Sequence, residues 1–417
     1  MKKSTRITEI SCYVGYMTQA IVLNLLPLFF VIFQRSYGIS TSQLSLTIFL
    51  TFFLQIGIDG FVAFLGEKVN LRATAVSAHI FCAVGLIALG ILPGLIDPFA
   101  GILCAVVMYS VGSALLEVVI NPIFDRLPKK EDSGFTFAHS FYCWGQLLVI
   151  LISALVLGFS SKSWKLIPLC WALVPTVNTV LLSLAPIPEK EPSSATVTVN
   201  KGRLAKGFFL FIIIMICAGA TEQCVAQWAS YFAEKGLGTS KLIGDLLGPC
   251  MFAFFMAIGR TLFSFFTKKL RTITALTFCA LGSAVCYIAI VLVPSSFVSL
   301  AACALSGFAV SILWPATLDL TASAFTCGTA AFSMLSLAGD VGCTVGPSVN
   351  GFVTDLADST HIAQSFASFL GISSEQASIR LGFAVSLFFP VLMFTVLLII
   401  ARRFFKTSGA KTLSKGS

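Results

Sequence analysis

Ser113, Glu117 and Asn121 stand four residues apart within Gly112–Pro122, which reads Gly-Ser-Ala-Leu-Leu-Glu-Val-Val-Ile-Asn-Pro. On a helix they share one face. The surrounding run, Phe99 to Phe124, is apolar and long enough to cross a bilayer. A carboxylate there is costly unless it faces a protein interior or a watery cavity. Desolvation penalises its charged form, so Glu117 is suited to taking and releasing a proton as a cavity opens to either side. A structural carboxylate bonded to a neighbouring helix is the plainer use of the same residue.

Two more acids stand inside apolar runs. Glu222 lies beside a polar stripe of Gln223, Gln227 and Ser230, with Trp228 and Tyr231 close by. Amides suit the hydroxyls of a sugar and aromatic faces suit its apolar side; polar packing between helices is the competing role. Asp340 shares a face with Ser333, Ser336 and Thr344, a set that suits a proton or a sodium ion. His139, Tyr142, Cys143 and Gln146 share a further face, with Gln146 the deeper candidate for substrate. Asp59 and Arg260 fall toward one end of their runs and are read as gating charges. Gly339, Gly342 and Gly346 permit close backbone approach.

These residues need many membrane helices to hold them. The chain has 417 residues, 57% hydrophobic and 11% charged, with a net charge of +9. Its mean hydropathy is +0.94. A soluble protein could not hide so much apolar surface, which predicts a polytopic membrane protein. The basic residues sit in short loops and tails, so nucleic acid is not the expected partner; the lipid bilayer is. The 13 cysteines lie mostly in apolar runs without metal-ligand spacing and read as small core residues. No metal or cofactor is expected. The first apolar run lacks a signal-peptide cleavage pattern and reads as a first membrane helix.

Apolar length gives twelve spans, at roughly 11–33, 43–65, 74–95, 98–124, 136–159, 165–185, 207–233, 241–267, 272–293, 297–319, 328–354 and 380–403. The polar stretch 186–206 divides them six and six. The expected organisation is an N-terminal bundle (1–185), a linker (186–206), a C-terminal bundle (207–405) and a tail (406–417). Most of the 27 Lys and Arg residues fall in the tails and on the same side as both ends, which places both termini in the cytoplasm. Arg35, Lys162, Lys165, Lys235, Lys241 and Arg380 fall on the opposite side, and Arg260 alone lies within a span. The halves echo one another: Gly60 to Arg72 ends the second span and Gly259 to Arg271 the eighth, each a glycine-bearing helix running into a basic turn. Such repeats put a substrate site between the halves near mid-membrane.

This layout resembles the major facilitator superfamily. The superfamily's loop after the second span, G-x-x-x-D-[RK]-x-G-[RK]-[RK], is matched in degenerate form by Ala63, Glu67, Lys68, Asn70, Leu71 and Arg72. Within it the chain is most similar to the fucose:proton symporter branch. Gly112, Glu117, Asn121 and Pro122 carry that similarity, with His139-Ser-Phe, Gly145, Gly259-Arg260 and the glycines of the eleventh span. The resemblance implies an all-α fold of two six-helix, pseudo-symmetric bundles and proton coupling at Glu117. It marks Lys68 and Arg72 as gating residues beside Asp59 and Arg260. The branch's best-known member has a first-span acid in an Asn-Asp context; here the match is Asn24-Leu25, without the acid. That departure counts against fucose itself, and Glu222, on the symmetry-related seventh span, could replace the acid. Asn24, Asn121, Gln146, Gln223, Gln227 and Trp228 are then the candidate substrate contacts, with Glu117, Glu222 and Asp340 as coupling acids.

The expected activity is transport, not catalysis: three scattered histidines supply no catalytic cluster, and there is no phosphate-binding loop to use ATP. Proton-coupled uptake of a small polar solute such as a sugar, by a monomer in a bacterial inner (plasma) membrane, is the first reading. Proton-driven efflux of amphipathic compounds is the alternative; the fifth span lacks the Gly-Pro motif usual in antiporters of the superfamily. Sodium stands as the alternative coupling ion.

Overall fold

The computed structural model describes residues 2–65, 69–127, 134–187, 201–266, 271–324 and 329–405. Lys68 and the linker residues 188–200 lie outside the described residues, as do the side chains of His139 and Ser333. The protein is a multi-pass, all-α membrane protein of two six-helix bundles. The first comprises α1 (Thr5–Tyr37), α2 (Thr41–Phe61), α3 (Leu71–Gly94), α4 (Pro98–Phe124), α5 (Ser140–Phe159) and α6 (Lys162–Leu184). The second comprises α7 (Gly207–Gly236), α8 (Lys241–Phe263), α9 (Thr272–Leu292), α10 (Ser296–Thr321), α11 (Thr329–Asp358) and α12 (Ser374–Arg403). Eleven of these are apolar enough over their described length to count as spans. The exception is α11, whose Ser336, Asp340 and Thr344 lower its hydropathy.

Local sequence explains the helix ends. Asn70 accepts from the Ala73 amide at 3.1 Å and starts α3; Asp97 accepts from the Ala100 amide at 2.9 Å, with Pro98 next, and starts α4. Ser373 and Gln376 form a capping box at the start of α12. Gly38, after α1, and Gly238, after α7, have φ of 65° and 67°. This left-handed conformation is open to glycine, and it recurs at the same turn of each repeat.

Several helices are interrupted in mid-course. The α-helical part of α1 stops at Asn24; a 3-10 turn over Leu26–Phe29, holding Pro27, precedes the rest. The end of α7 passes into a π-turn over Phe232–Gly236, and α8 has a π-turn over Leu246–Cys250, holding Pro249. Such interruptions free backbone groups where a membrane site needs them.

The bundles meet along α11, which packs along both α7 and α2. A Cβ on Gly342 would overlap the Ile216 carbonyl, and one on Gly219 the Gly339 carbonyl. Only glycine lets these two backbones touch, which is how small residues serve helix association in lipid.

Two features depart from the sequence reading. Residues 355–379, expected as a loop, complete α11, form a short helix (His361–Leu370) and begin α12. Arg380, expected on the side opposite the termini where the twelfth span begins, is 1% exposed and lies within α12. Its Nη1 donates to the Ile290 and Val293 carbonyls and its Nη2 to Ser299 Oγ. These carbonyls belong to the end of α9, where no further turn satisfies them, so the helix terminus itself accommodates the guanidinium. The Phe232 ring lies 5.5 Å away and adds a cation–π contact.

Candidate functional site

Glu117 projects from α4 toward α1 and α2. Its Oε2 accepts from Gln19 Nε2 at 2.9 Å and from Gln55 Nε2. One turn along α2 from Gln55 stands Asp59, and across the bundle interface stands Asp340 of α11. Carboxylate oxygens of Asp59, Glu117 and Asp340 lie within 4.8 Å of one another. The structure therefore joins two acids read from sequence as coupling residues with one read as a gate. Three unit charges this close repel by at least about 3 kcal/mol per pair at an effective dielectric of about 20. The cluster holds together when protons or another cation offset that charge. Neighbouring Asn121, on the Glu117 face, accepts from Tyr16 Oη at 2.5 Å.

A second polar group sits between α1, α5, α7 and α8. Arg260 Nη2 lies 3.6 Å from Glu222 Oε2, and both side chains are about nine-tenths buried. Arg260 Nε donates to the Ser311 carbonyl at 3.1 Å, where α10 is interrupted before Pro315. Arg260 is thus placed in the interior, paired to an acid of its own bundle. Opposite, Asn24 donates to the Ala20 carbonyl at 2.9 Å and to Tyr142 Oη at 3.3 Å. The side-chain oxygens of Asn24 and Gln146 are buried without a donor, acceptors that a hydroxyl or amine of a solute would satisfy.

The amide stripe of α7 is already engaged. Gln227 Nε2 donates to Leu23 O at 3.1 Å and to Gln223 Oε1 at 3.2 Å. Trp228, 1% exposed, donates to the Pro347 carbonyl at 2.8 Å and lies 5.5 Å from the Phe30 ring. Its indole is fixed between α7 and α11. Arg72 is exposed and donates to the Ser183 carbonyl at 3.2 Å, joining α3 to the end of α6.

The end of the interface away from the termini is closed by contacts between bundles. Arg35 pairs with Glu234 at 3.0 Å, Gln34 donates to Tyr231 Oη at 3.1 Å, and Ser42 donates to Asp355. Toward the termini, Asp59, Glu117 and Asn121 keep partial exposure.

Sequence reasoning missed Gln19 and Gln55, it named Tyr142 only as a neighbour of His139, and it did not join Asp59 to the acids. The available signal was the spacing of Gln55 and Asp59, four apart in the apolar second half of α2.

By overall fold the chain is similar to a bacterial homologue of the human lysosomal transporter Spinster, solved in an inward-facing and occupied conformation. The TM-score is 0.75 at 15% identity, over 97% of this chain and 98% of that one. It is also similar to the nucleoside transporter NupG, with a TM-score of 0.65 at 12% identity, over 94% of this chain and 98% of that one. No curated protein matches the chain in sequence. The sequence pattern of the Major Facilitator Superfamily matches residues 12–347. With twelve helices in two bundles around a buried polar interface, the chain belongs to the major facilitator superfamily of membrane transporters.

Proposed function

We propose that this chain is a proton-coupled symporter that takes up a small polar solute such as a sugar by alternating access. The observation that carries the reading is the carboxyl cluster in which Asp340 of one bundle meets Asp59 and Glu117 of the other. Proton occupancy of that cluster decides whether the bundles can approach there, which links the ion to the conformational change. The units that rock are 1–185 and 207–405, with 186–206 as a cytoplasmic linker, and the working form is a monomer. Solute sits between Asn24, Gln146 and the Glu222–Arg260 pair, whose donors and acceptors suit hydroxyls. The resemblance of Gly112, Glu117 and Asn121-Pro122 to the fucose:proton symporter branch supports the same reading.

The test is external pH in lightly buffered, energy-depleted cells expressing the chain, challenged with sugars and nucleosides. An alkaline shift with one solute, lost in Glu117→Gln, is the expected result. A shift surviving in Glu117→Gln moves the proton site to Asp59, Asp340 or Glu222. No shift with any solute sinks symport of these solutes and favours proton-driven efflux.

A further inference from the structure

We propose that Asp59, Glu117 and Asp340, together with the side-chain oxygen of Gln55, form a binding site for a hard metal cation between the two bundles. The three carboxylates present oxygens within 4.8 Å of one another. Oxygens on opposite sides of a calcium-sized ion stand roughly 5 Å apart, given bonds of about 2.3–2.6 Å. The spacing therefore lets one ion reach all three without rebuilding the helices.

The second observation is Gln55. It is 3% exposed, its Nε2 reaches Glu117, and its Oε1 is buried with no donor. A half-turn of the terminal amide exchanges nitrogen for oxygen. That turn brings Oε1 to the cluster as a fourth ligand, while Gln19 keeps its own bond to Glu117. Asp59 Oδ1 and Asp340 Oδ2 are likewise buried without a donor. The one basic side chain buried nearby in α8, Arg260, is taken by Glu222.

The donor set is all oxygen, which selects sodium, magnesium or calcium over zinc or copper. Charge and position add a consequence. Asp59, Gln55 and Glu117 belong to the first bundle and Asp340 to the second, so a cation bound here holds the bundles in the arrangement seen. The identity of the solute does not enter, and protons compete with the metal for the same carboxylates, so binding is read at one fixed pH.

The experiment is thermal unfolding of the purified full chain in detergent, at fixed pH and ionic strength. Choline chloride is replaced by sodium, magnesium or calcium chloride in separate series. The expected result is a saturable rise in Tm of about 3 °C or more with at least one of these metals. Asp340→Asn and Gln55→Leu should abolish or weaken it, while Asp97→Asn, at the exposed cap of α4, should keep it. Saturation with sodium names a monovalent ion; saturation with calcium or magnesium names a divalent one. No metal-specific rise in the wild type overturns the site, as does a rise unchanged in both Asp340→Asn and Asp59→Asn. If a variant fails to fold, equilibrium dialysis of the wild type with radioactive sodium and calcium decides the matter: saturable binding supports the site and none refutes it. Because no solute is present, failure here is separable from failure of the symport reading.

Discussion

Gln227 Nε2 donates to the backbone carbonyl of Leu23 at 3.1 Å, tying the middle of α7 to the interrupted middle of α1. The donor a helix would normally offer that carbonyl is the N–H of the fourth residue on, and here that residue is Pro27, which has none. One imino acid in the first bundle thus creates the acceptor that a glutamine of the second bundle fills. Gln227→Leu should leave the carbonyl buried and unpaired and cost about 1–3 kcal/mol of stability. Pro27→Ala restores an amide, so the Gln227→Leu cost should shrink in that background. Denaturation of the four members of the cycle measures the coupling; additive effects would show that Pro27 and Gln227 do not act on the same carbonyl.

Each acid of the Asp59, Glu117 and Asp340 cluster repels the other two, so neutralising one should stabilise this arrangement of the bundles. Asp59→Asn and Asp340→Asn should each unfold at a higher temperature than wild type in choline-only buffer, by a few degrees, while solute-driven proton uptake falls at least tenfold. Stability and coupling then move in opposite directions, as expected where charge repulsion is retained for function. Equal loss of both would mark the residues as structural.

Much of this was readable from the chain because membrane helices are long and their polar residues few. Glu117 announces itself as the only acid in an apolar run, and its fourfold spacing to Ser113 and Asn121 fixes the face it occupies. What periodicity cannot supply is the partner. Asp59 and Asp340 are 281 residues apart in sequence, and nothing local to either says that α2 and α11 pack together. Arg380 shows a different limit. Counting apolar residues puts Arg380 at the very start of the twelfth span, on the side away from the termini, whereas the carbonyls at the end of α9 hold it in the interior. The short helix His361–Leu370 was hidden for a related reason, since ten residues are too few for a span-length criterion.

Arg380 also gives a sharp mutational contrast. Arg380→Met removes donors from two carbonyls and Ser299 at once and should cost about 2 kcal/mol or more. Arg380→Lys keeps the charge but lacks the fork that reaches Ile290, Val293 and Ser299 together, so it should recover only part of the loss. Chemical denaturation of both variants checks the order; a lysine that restores full stability would show that charge alone matters here.

The Glu222–Arg260 pair should behave as a unit. Arg260→Met leaves an acid buried without its counter-ion, and Glu222→Gln leaves the guanidinium without its acid, held by the Ser311 carbonyl. Breaking a buried pair costs about 3–5 kcal/mol, whereas removing both charges costs far less. The double variant Glu222→Gln, Arg260→Met should therefore fold better than Arg260→Met alone. If the pair also contacts solute, the folded double variant will still bind it poorly, with apparent affinity down at least tenfold in equilibrium binding of a transported solute. A double variant that folds and binds as wild type would confine the pair to a structural role and leave Asn24 and Gln146 as the solute contacts.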